Sequence, residues 1–395
     1  MRQIVQIFQN FIRKGDKVLL TLCLVLNAFG CLVIASATNT MGFTRYIIVQ
    51  GAAALIGVVL YVLISSVDTD FFSEHRRSIV AFSVFLLLLL IPFGTDNGSG
   101  NKSWLNIPLV PVDIQPAEIC KITYILITAS VMASHQNQIS SWKSVFHMVP
   151  YLVLIVGLNM VLSRDAGVSL IFVFIFAGMA FAGGVSLWWF LAGGGAIAAA
   201  APIVWTKFMD NYQRKRIQIL FDPTIDPDGL NERYHTKLSL RSLTGGGLTG
   251  QGLFHGTRTQ TPDALFAQHT DYIFAAIGEE LGYLGCIFVI LMLLAIIARC
   301  IYVGVRSQDY MRRMVCFGAA AALIFQVTSN VGMCVGVTPV IGLTLPFVSY
   351  GGTSMVSCMG LIGLLQGVAS VNQDDLSYDY DISRSVQEMD ELPEA

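Results

Sequence analysis

Between Val18 and Ala369 the chain holds ten apolar runs, each of roughly the length a helix needs to cross lipid. They lie near Val18–Ala37, Tyr46–Ser65, Ser78–Phe93, Pro116–Ala133, Val145–Ser163, Gly167–Gly183, Leu187–Trp205, Ile273–Ala298, Met314–Val335 and Gly351–Ala369. In hydrocarbon no water satisfies a free backbone N–H or C=O, so such runs fold as internally bonded helices. The pattern implies an all-α polytopic membrane protein of about ten transmembrane helices. Charged residues are only 13% of the chain, about half the share in water-soluble domains. No basic nucleic-acid motif is present, so membrane lipids and not nucleic acid are the expected surroundings. All eight cysteines fall in or at the ends of apolar runs, without disulfide or zinc spacing.

Residues 1–370 read as one transmembrane domain, and the acidic tail 371–395 as disordered. The first seventeen residues place Ile4, Ile7, Phe8, Phe11 and Ile12 on one face among basic residues, as in a helix lying on the inner membrane surface. Lys and Arg concentrate in alternate short loops: Arg76, Arg77, Lys143, Arg299, Arg306, Arg312 and Arg313 against Arg45, Lys102 and Arg164. The positive-inside bias then makes both termini cytoplasmic and residues 206–270 a long extracellular loop. Arg164-Asp165-Ala166 alone separates two of the runs, which form a tight hairpin.

Polar groups that interrupt this apolar background are the functional candidates, because a carboxylate at the bilayer centre costs roughly 2.5–3.5 kcal/mol. Glu279 and Glu280 sit inside the run after Ile273. Asp271 lies where that helix leaves lipid, and there Thr270 or Asp271 could equally serve as its N-cap. Glu118 and Lys121 are three apart on one helical face, either as a structural ion pair or as the polar wall of a cavity. In the long loop, Arg214-Lys215-Arg216 suits phosphate oxygens, and Gly245–Gly256 supplies backbone that can approach a ligand closely. Together they suggest a membrane-bound phosphate or pyrophosphate substrate. Near the end, residues 336–350 combine two prolines with several glycines and read as a re-entrant element over the bundle.

The motifs then carry a resemblance. Pro346-Phe347-Val348-Ser349-Tyr350-Gly351-Gly352, preceded by Asn330-Val331-Gly332, resembles the signature of the shape, elongation, division and sporulation (SEDS) family, whose members include RodA, FtsW and SpoVE. His269-Thr270-Asp271 with Gly278-Glu279-Glu280-Leu281-Gly282 is similar to a second family motif, and Gln115-Pro116-Ala117-Glu118 with Lys121, downstream of Trp104, to a third. Asp165 followed by Gly167 resembles the family's Asp-Leu-Gly hairpin. The signature from Thr338 to Phe347 is slightly closer to the RodA branch.

The resemblance implies a peptidoglycan glycosyltransferase that polymerises lipid II at the outer face of the bacterial cytoplasmic membrane, beside a class B penicillin-binding protein. It implies Asp271 as the catalytic acid-base residue and Glu118 and Lys121 as cavity lining. Trp104, His269, Glu279, Ser349 and Tyr350 from the motifs, with Arg214, Lys215 and Arg216 from the loop, complete the expected substrate contacts. Chemically, a carboxylate would take the acceptor hydroxyl's proton while Arg, Lys or a divalent cation such as Mg or Mn stabilises the leaving pyrophosphate. His255, His269, Asp263 and Asp271 lack a recognisable ligand spacing, so no metal site is assigned. The chain departs from the family at Phe266-Ala267, where Pro-Glu is common, and at His235 and Leu238, where Gln is expected. A lipid-linked sugar flippase and a non-catalytic scaffold for the penicillin-binding protein are the alternative readings.

Overall fold

The computed structural model describes residues 16–390, apart from 97–100, 107–112, 210, 227–233 and 263. The surface helix expected over residues 1–17 therefore lies almost wholly outside the described residues. Among the described residues ten helical spans form the bundle. The first five are α1 (Lys17–Ala37), α2 (Phe43–Ser65), the pair α4 (Arg76–Leu88) and α5 (Leu90–Phe93) in one span, α6 (Pro116–Ser134) and α7 (Trp142–Leu162). A short α3 (Thr69–Glu74) precedes α4. Then come α8 (Ala166–Ala182), α9 (Leu187–Ile203), α12 (Ile273–Arg306), α13 (Tyr310–Cys334) and α14 (Gly352–Asp390). Among the described residues nine spans are long and apolar enough to cross a membrane; α8, the tenth apolar helix, is shorter.

Helix starts follow local chemistry. The side chains of Asp16, Ser141, Asp165 and Asp309 each accept a backbone N–H from the first turn they cap, and Pro116 opens α6 where no N–H is needed. Within the bundle, 78% of the central window of α6 is buried against protein and none of that of α9. Helices α6, α13 and α14 therefore form the centre, and α9 faces lipid. The N-terminus of α1 meets the far ends of α12 and α14: Arg299 donates to Asp16 at 2.6 Å, and the Asp16 N–H donates to Gln366 at 3.0 Å. The opposite face carries the long 206–272 segment.

That segment is not a featureless loop. After a π-turn over Val204–Phe208 it forms α10 (Asn211–Phe221) and α11 (Tyr234–Gly245), the latter tied to the end of α13 by Ser239 Oγ donating to the Cys334 carbonyl. The glycine run then meets a break in α12. Gly282 has φ 66° and ψ −166°, a region open almost only to glycine. The backbone groups around that break are met by the loop: Gln251 and Gly252 donate to the carbonyls of Glu279 and Glu280, while Tyr283 and Leu284 donate to those of Gly247 and Leu248. The close backbone approach expected for a ligand is thus made to the protein's own helix. A Cβ at Gly246 would lie 1.8 Å from the Gly278 carbonyl oxygen, and one at Gly250 would lie 2.1 Å from that of Glu280. We expect Gly246→Ala or Gly250→Ala to destabilise the detergent-purified protein by at least about 1–3 kcal/mol. Gly194→Ala, on α9 with open space around it, should leave the thermal midpoint unchanged or higher. Equal midpoints for all three would remove this account of the glycines.

One end differs from expectation. Helix α12 was expected to stop near Ala298, yet it continues to Arg306, because the arginines end an apolar run without breaking a helix. Helix α14 runs to Asp390. No Gly or Pro occurs between Ala369 and Pro393, so an already nucleated helix can propagate there.

Residues 336–351 contain no helix. Leu343, Leu345, Phe347 and Val348 in it are nonetheless buried, and a Cβ on Gly30 of α1 would lie 2.8 Å from the Val348 backbone. Gly30 is seven residues from the end of α1, so this backbone dips about 10 Å into the bundle.

Candidate functional site

Asp271 stands two residues before α12, against that dipping segment. The segment holds it by the main chain. Tyr350 N–H donates to the His269 carbonyl at 2.8 Å, and Ser349 Oγ donates to that of Thr270 at 2.6 Å. Asn330 of α13 donates to the carbonyls of both Asp271 and Leu343. The N-cap of α12 is Tyr272, with no side-chain cap bond. Neither Thr270 nor Asp271 caps the helix, which leaves the Asp271 carboxylate for other work. It is half-buried, and Gly342, at φ 75°, brings bare backbone near it: a Cβ there would sit 3.7 Å from Asp271 Oδ2.

Burial pushes the Asp271 carboxyl up to about 6, the negative charge of Asp165 adds to the rise, and the Arg216 guanidinium opposes it. Arg216 reaches in from α10, donating to the Val340 carbonyl at 3.0 Å. The site therefore offers a carboxylate with a proton affinity close to neutrality, next to a cation that can face an anionic group. A group with that affinity is a base above about pH 6 and is progressively lost as such when pH falls through that value.

Beside Asp271 lies an aromatic cluster. The rings of Tyr46, His269 and Tyr350 are 5.0–5.5 Å apart, centre to centre. Burial lowers the basicity of His269, and its Nδ1 has no hydrogen-bond partner among the described residues. Arg45, next to Tyr46, opens a lateral cavity of about 810 Å³ between α2, α6 and α14. Its lining is almost wholly aliphatic and runs along α2 from Arg45 to Ile64, about 28 Å at helical rise. Such a groove suits a long hydrocarbon chain whose polar end emerges at Arg45, near the cluster.

Glu118 and Lys121 sit deeper, both at most 5% exposed and 2.8 Å apart. Ser357 of α14, which also lines the groove, donates to Glu118 at 2.5 Å. The pair thus ties α6 to α14 immediately behind the groove wall. Glu279 and Glu280 hold the loop: Arg258 N–H donates to Glu279 at 2.7 Å, while Thr259 and Gln260 donate to Glu280. Arg214 donates to the Thr206 carbonyl, and Lys215 is exposed. Trp104 is half-buried in the two-residue strand β2 (Trp104–Leu105), paired with β1 (Gly94–Thr95). Among the described residues no three His, Cys, Asp or Glu side chains converge, and Asp263 lies outside them.

Sequence reasoning did not place Arg45, Tyr46 or Asn330 at the site, nor Asp165 beside Asp271. The signal for Arg45 was its being a lone basic residue in a short loop. The others act through neighbours remote in sequence.

Residues 16–374 match the family described as cell cycle protein, FTSW_RODA_SPOVE. The peptidoglycan glycosyltransferase MrdB of Escherichia coli is 31% identical over 356 residues, covering 89% of this chain and 93% of that protein. A probable peptidoglycan glycosyltransferase FtsW of Geobacter metallireducens is 29% identical, covering 91% and 96%. Among solved structures, a chain of a peptidoglycan synthase complex that coordinates polymerization and crosslinking superposes with a TM-score of 0.76 at 26% identity, covering 91% and 98%. The rod shape determining protein RodA of Thermus thermophilus shares the fold, with a TM-score of 0.66 at 22% identity, covering 90% and 96%.

Proposed function

Because the chain belongs to the cell cycle protein family of FtsW, RodA and SpoVE, we propose that it is a peptidoglycan glycosyltransferase, a multi-pass membrane enzyme that joins lipid-linked disaccharides into glycan strands. The substrate on this reading is lipid II, with its prenyl chain in the groove between α2, α6 and α14 and its pyrophosphate at the Arg45 end. The loop face is then the outer face of the cytoplasmic membrane, in keeping with the Lys and Arg bias of the short loops. The partner is a class B penicillin-binding protein, as befits a chain that superposes on part of a complex coordinating polymerization and crosslinking.

The observation that carries this reading is Asp271, a carboxylate free of capping duty, raised to about 6 and answered by Arg216, in a loop whose His269 packs on Tyr46, next to the Arg45 end of a prenyl-length groove. In the reaction the acceptor sugar's hydroxyl attacks the anomeric carbon as pyrophosphate leaves. Asp271 takes the hydroxyl proton, worth roughly 10²–10⁴-fold. Arg216 and Arg45 meet the charge that develops on the leaving group.

The test is glycan formation from lipid II by purified protein with its penicillin-binding partner, followed from pH 5 to 8.5. Product should form, with an acid limb in the rate near pH 6 and not near the usual carboxylate value of about 4. Lipid translocation without any polymer, by protein verified as folded, would replace this reading with the flippase.

A further inference from the structure

The hairpin between α7 and α8 contains a second carboxylate, which caps α8 and is held close to the candidate site. Asp165 is 9% exposed. Its Oδ1 accepts the Val168 N–H at 3.0 Å, capping α8, and its Oδ2 accepts the Ser103 hydroxyl at 3.0 Å. The surrounding backbone is fixed as well. Asn159 donates to the Asp165 carbonyl and to Ser169, and Ser163 is bonded back to Asn159. These described partners are all neutral, so the carboxylate faces its surroundings with its charge unpaired by them. Neighbouring Arg164 is exposed, at φ 56°.

One step of backbone joins this acid to Asp271. A Cβ on Gly167 would lie 3.4 Å from Asp165 Oδ1 and 2.7 Å from the Ile341 carbonyl oxygen. A Cβ on the next residue, Gly342, would lie 3.7 Å from Asp271 Oδ2. The strip Ile341–Gly342 is thus touched on one side by the α8 cap and on the other by Asp271. Gly167 leaves room for the Ile341 side chain at the α8 cap, and Gly342 puts bare backbone against Asp271. Among the described residues the other charged or titratable groups near Asp271 are Arg216 from α10, the adjacent Tyr272, His269 of the same loop, and Cys334 of α13. Asp165 is the like charge in this set and Arg216 the opposite one.

The geometry points to Asp165 as a positioning residue for the transfer reaction: its negative charge, across the Ile341–Gly342 strip, holds the proton on Asp271 more tightly and so helps set the pH at which the site works. The inference rests on reading Asp271 as the proton acceptor. Burial also raises the Asp165 carboxyl, while its hydrogen bonds to Val168, Ser103 and Gly167 lower it. A stronger base at Asp271 takes the acceptor proton more readily at neutral pH, which is where Brønsted behaviour favours it.

The experiment compares pH profiles of kcat/KM for wild type, Asp165→Asn, Asp165→Ser, Asp165→Glu and Asp271→Asn, with lipid II and the partner present. Asn and Ser both cap helices well, so the α8 start survives without the charge. In Asp165→Asn and Asp165→Ser the acid limb should move down by about half to one pH unit. Asp165→Glu, which keeps the charge, should restore the wild-type limb. A uniform loss at every pH with the limb unmoved in both neutral variants would make Asp165 purely structural and overturn the inference. Activity retained by Asp271→Asn would instead bring down the reading of the site itself, so the two failures are told apart within one data set.

Discussion

Asp271→Asn lowers glycan polymerisation by roughly 10²–10⁴-fold while the protein folds, purifies and binds its partner as wild type does. Asparagine keeps the size of the side chain and can make the same contacts as a neutral acid, but a neutral amide accepts no proton from a sugar hydroxyl. Structural loss is not expected, since the main chain of 269–271 is held by Ser349, Tyr350 and Asn330 and not by the carboxylate. The same variant should be more heat-stable, and the gain should depend on pH with a definite sign. The folded-state value of about 6 lies above the unfolded value near 4. Wild type therefore loses stability as pH rises from about 4 through 6, and the amide variant does not. The gap should be absent below about pH 4 and reach about 1–2 kcal/mol above pH 7, after allowance for the open side of the group. A fully active variant, or one whose stability gain is the same at pH 4 and pH 8, contradicts the assignment.

The second large effect belongs to Glu118 and Lys121. Both are buried, they lie 2.8 Å apart, and Ser357 supplies a further hydrogen bond to the acid. Removing one partner strands the other's charge in a low dielectric, a loss of about 3–5 kcal/mol. Glu118→Gln and Lys121→Met should each sharply reduce folded yield and thermal midpoint. The double variant should recover much of that loss, because no unpaired charge remains. Where the double variant folds, its polymerisation rate separates the pair's two roles. A rate near wild type makes the pair a brace between α6 and α14, whereas a lost rate makes it part of the substrate cavity. Singles that melt with wild type would show that the two charges are not coupled at all.

How much of this was legible beforehand depends on the range of the interaction. The ten apolar runs announced their helices because lipid forces every backbone group to bond locally, and hydropathy reports that requirement directly. The pairing of Glu118 with Lys121 was legible for the same reason, since a spacing of three is fixed by helical geometry. The end of α12 was not, because Arg299 changes the polarity of the chain without changing its helical propensity. Capping at Asp271 was an open alternative in the sequence and was settled only by the actual start at Ile273. The glycine run Gly245–Gly256 was visible as backbone made for close approach, but its target, the break at Gly282, is remote in sequence. Asp165 was visible as a hairpin residue. Its closeness to Asp271 depends on a strip near residue 341 that no local pattern reveals.

The tie between Asp16, Arg299 and Gln366 bears on how such a chain is made. Helix α1 is synthesised before the rest of the described bundle and is apolar enough to enter lipid by itself, yet the groups that lock its start lie 283 and 350 residues later. At about 5–20 residues per second, translation leaves that first helix waiting for roughly 20–70 s before Gln366 exists. Tyr61 of α2 donates to the same Gln366 oxygen at 2.9 Å, so the second helix waits as well. Assembly of the bundle is then a closing of both ends of the chain upon each other, and a ribosome that stops short of residue 366 leaves a set of inserted helices with no latch.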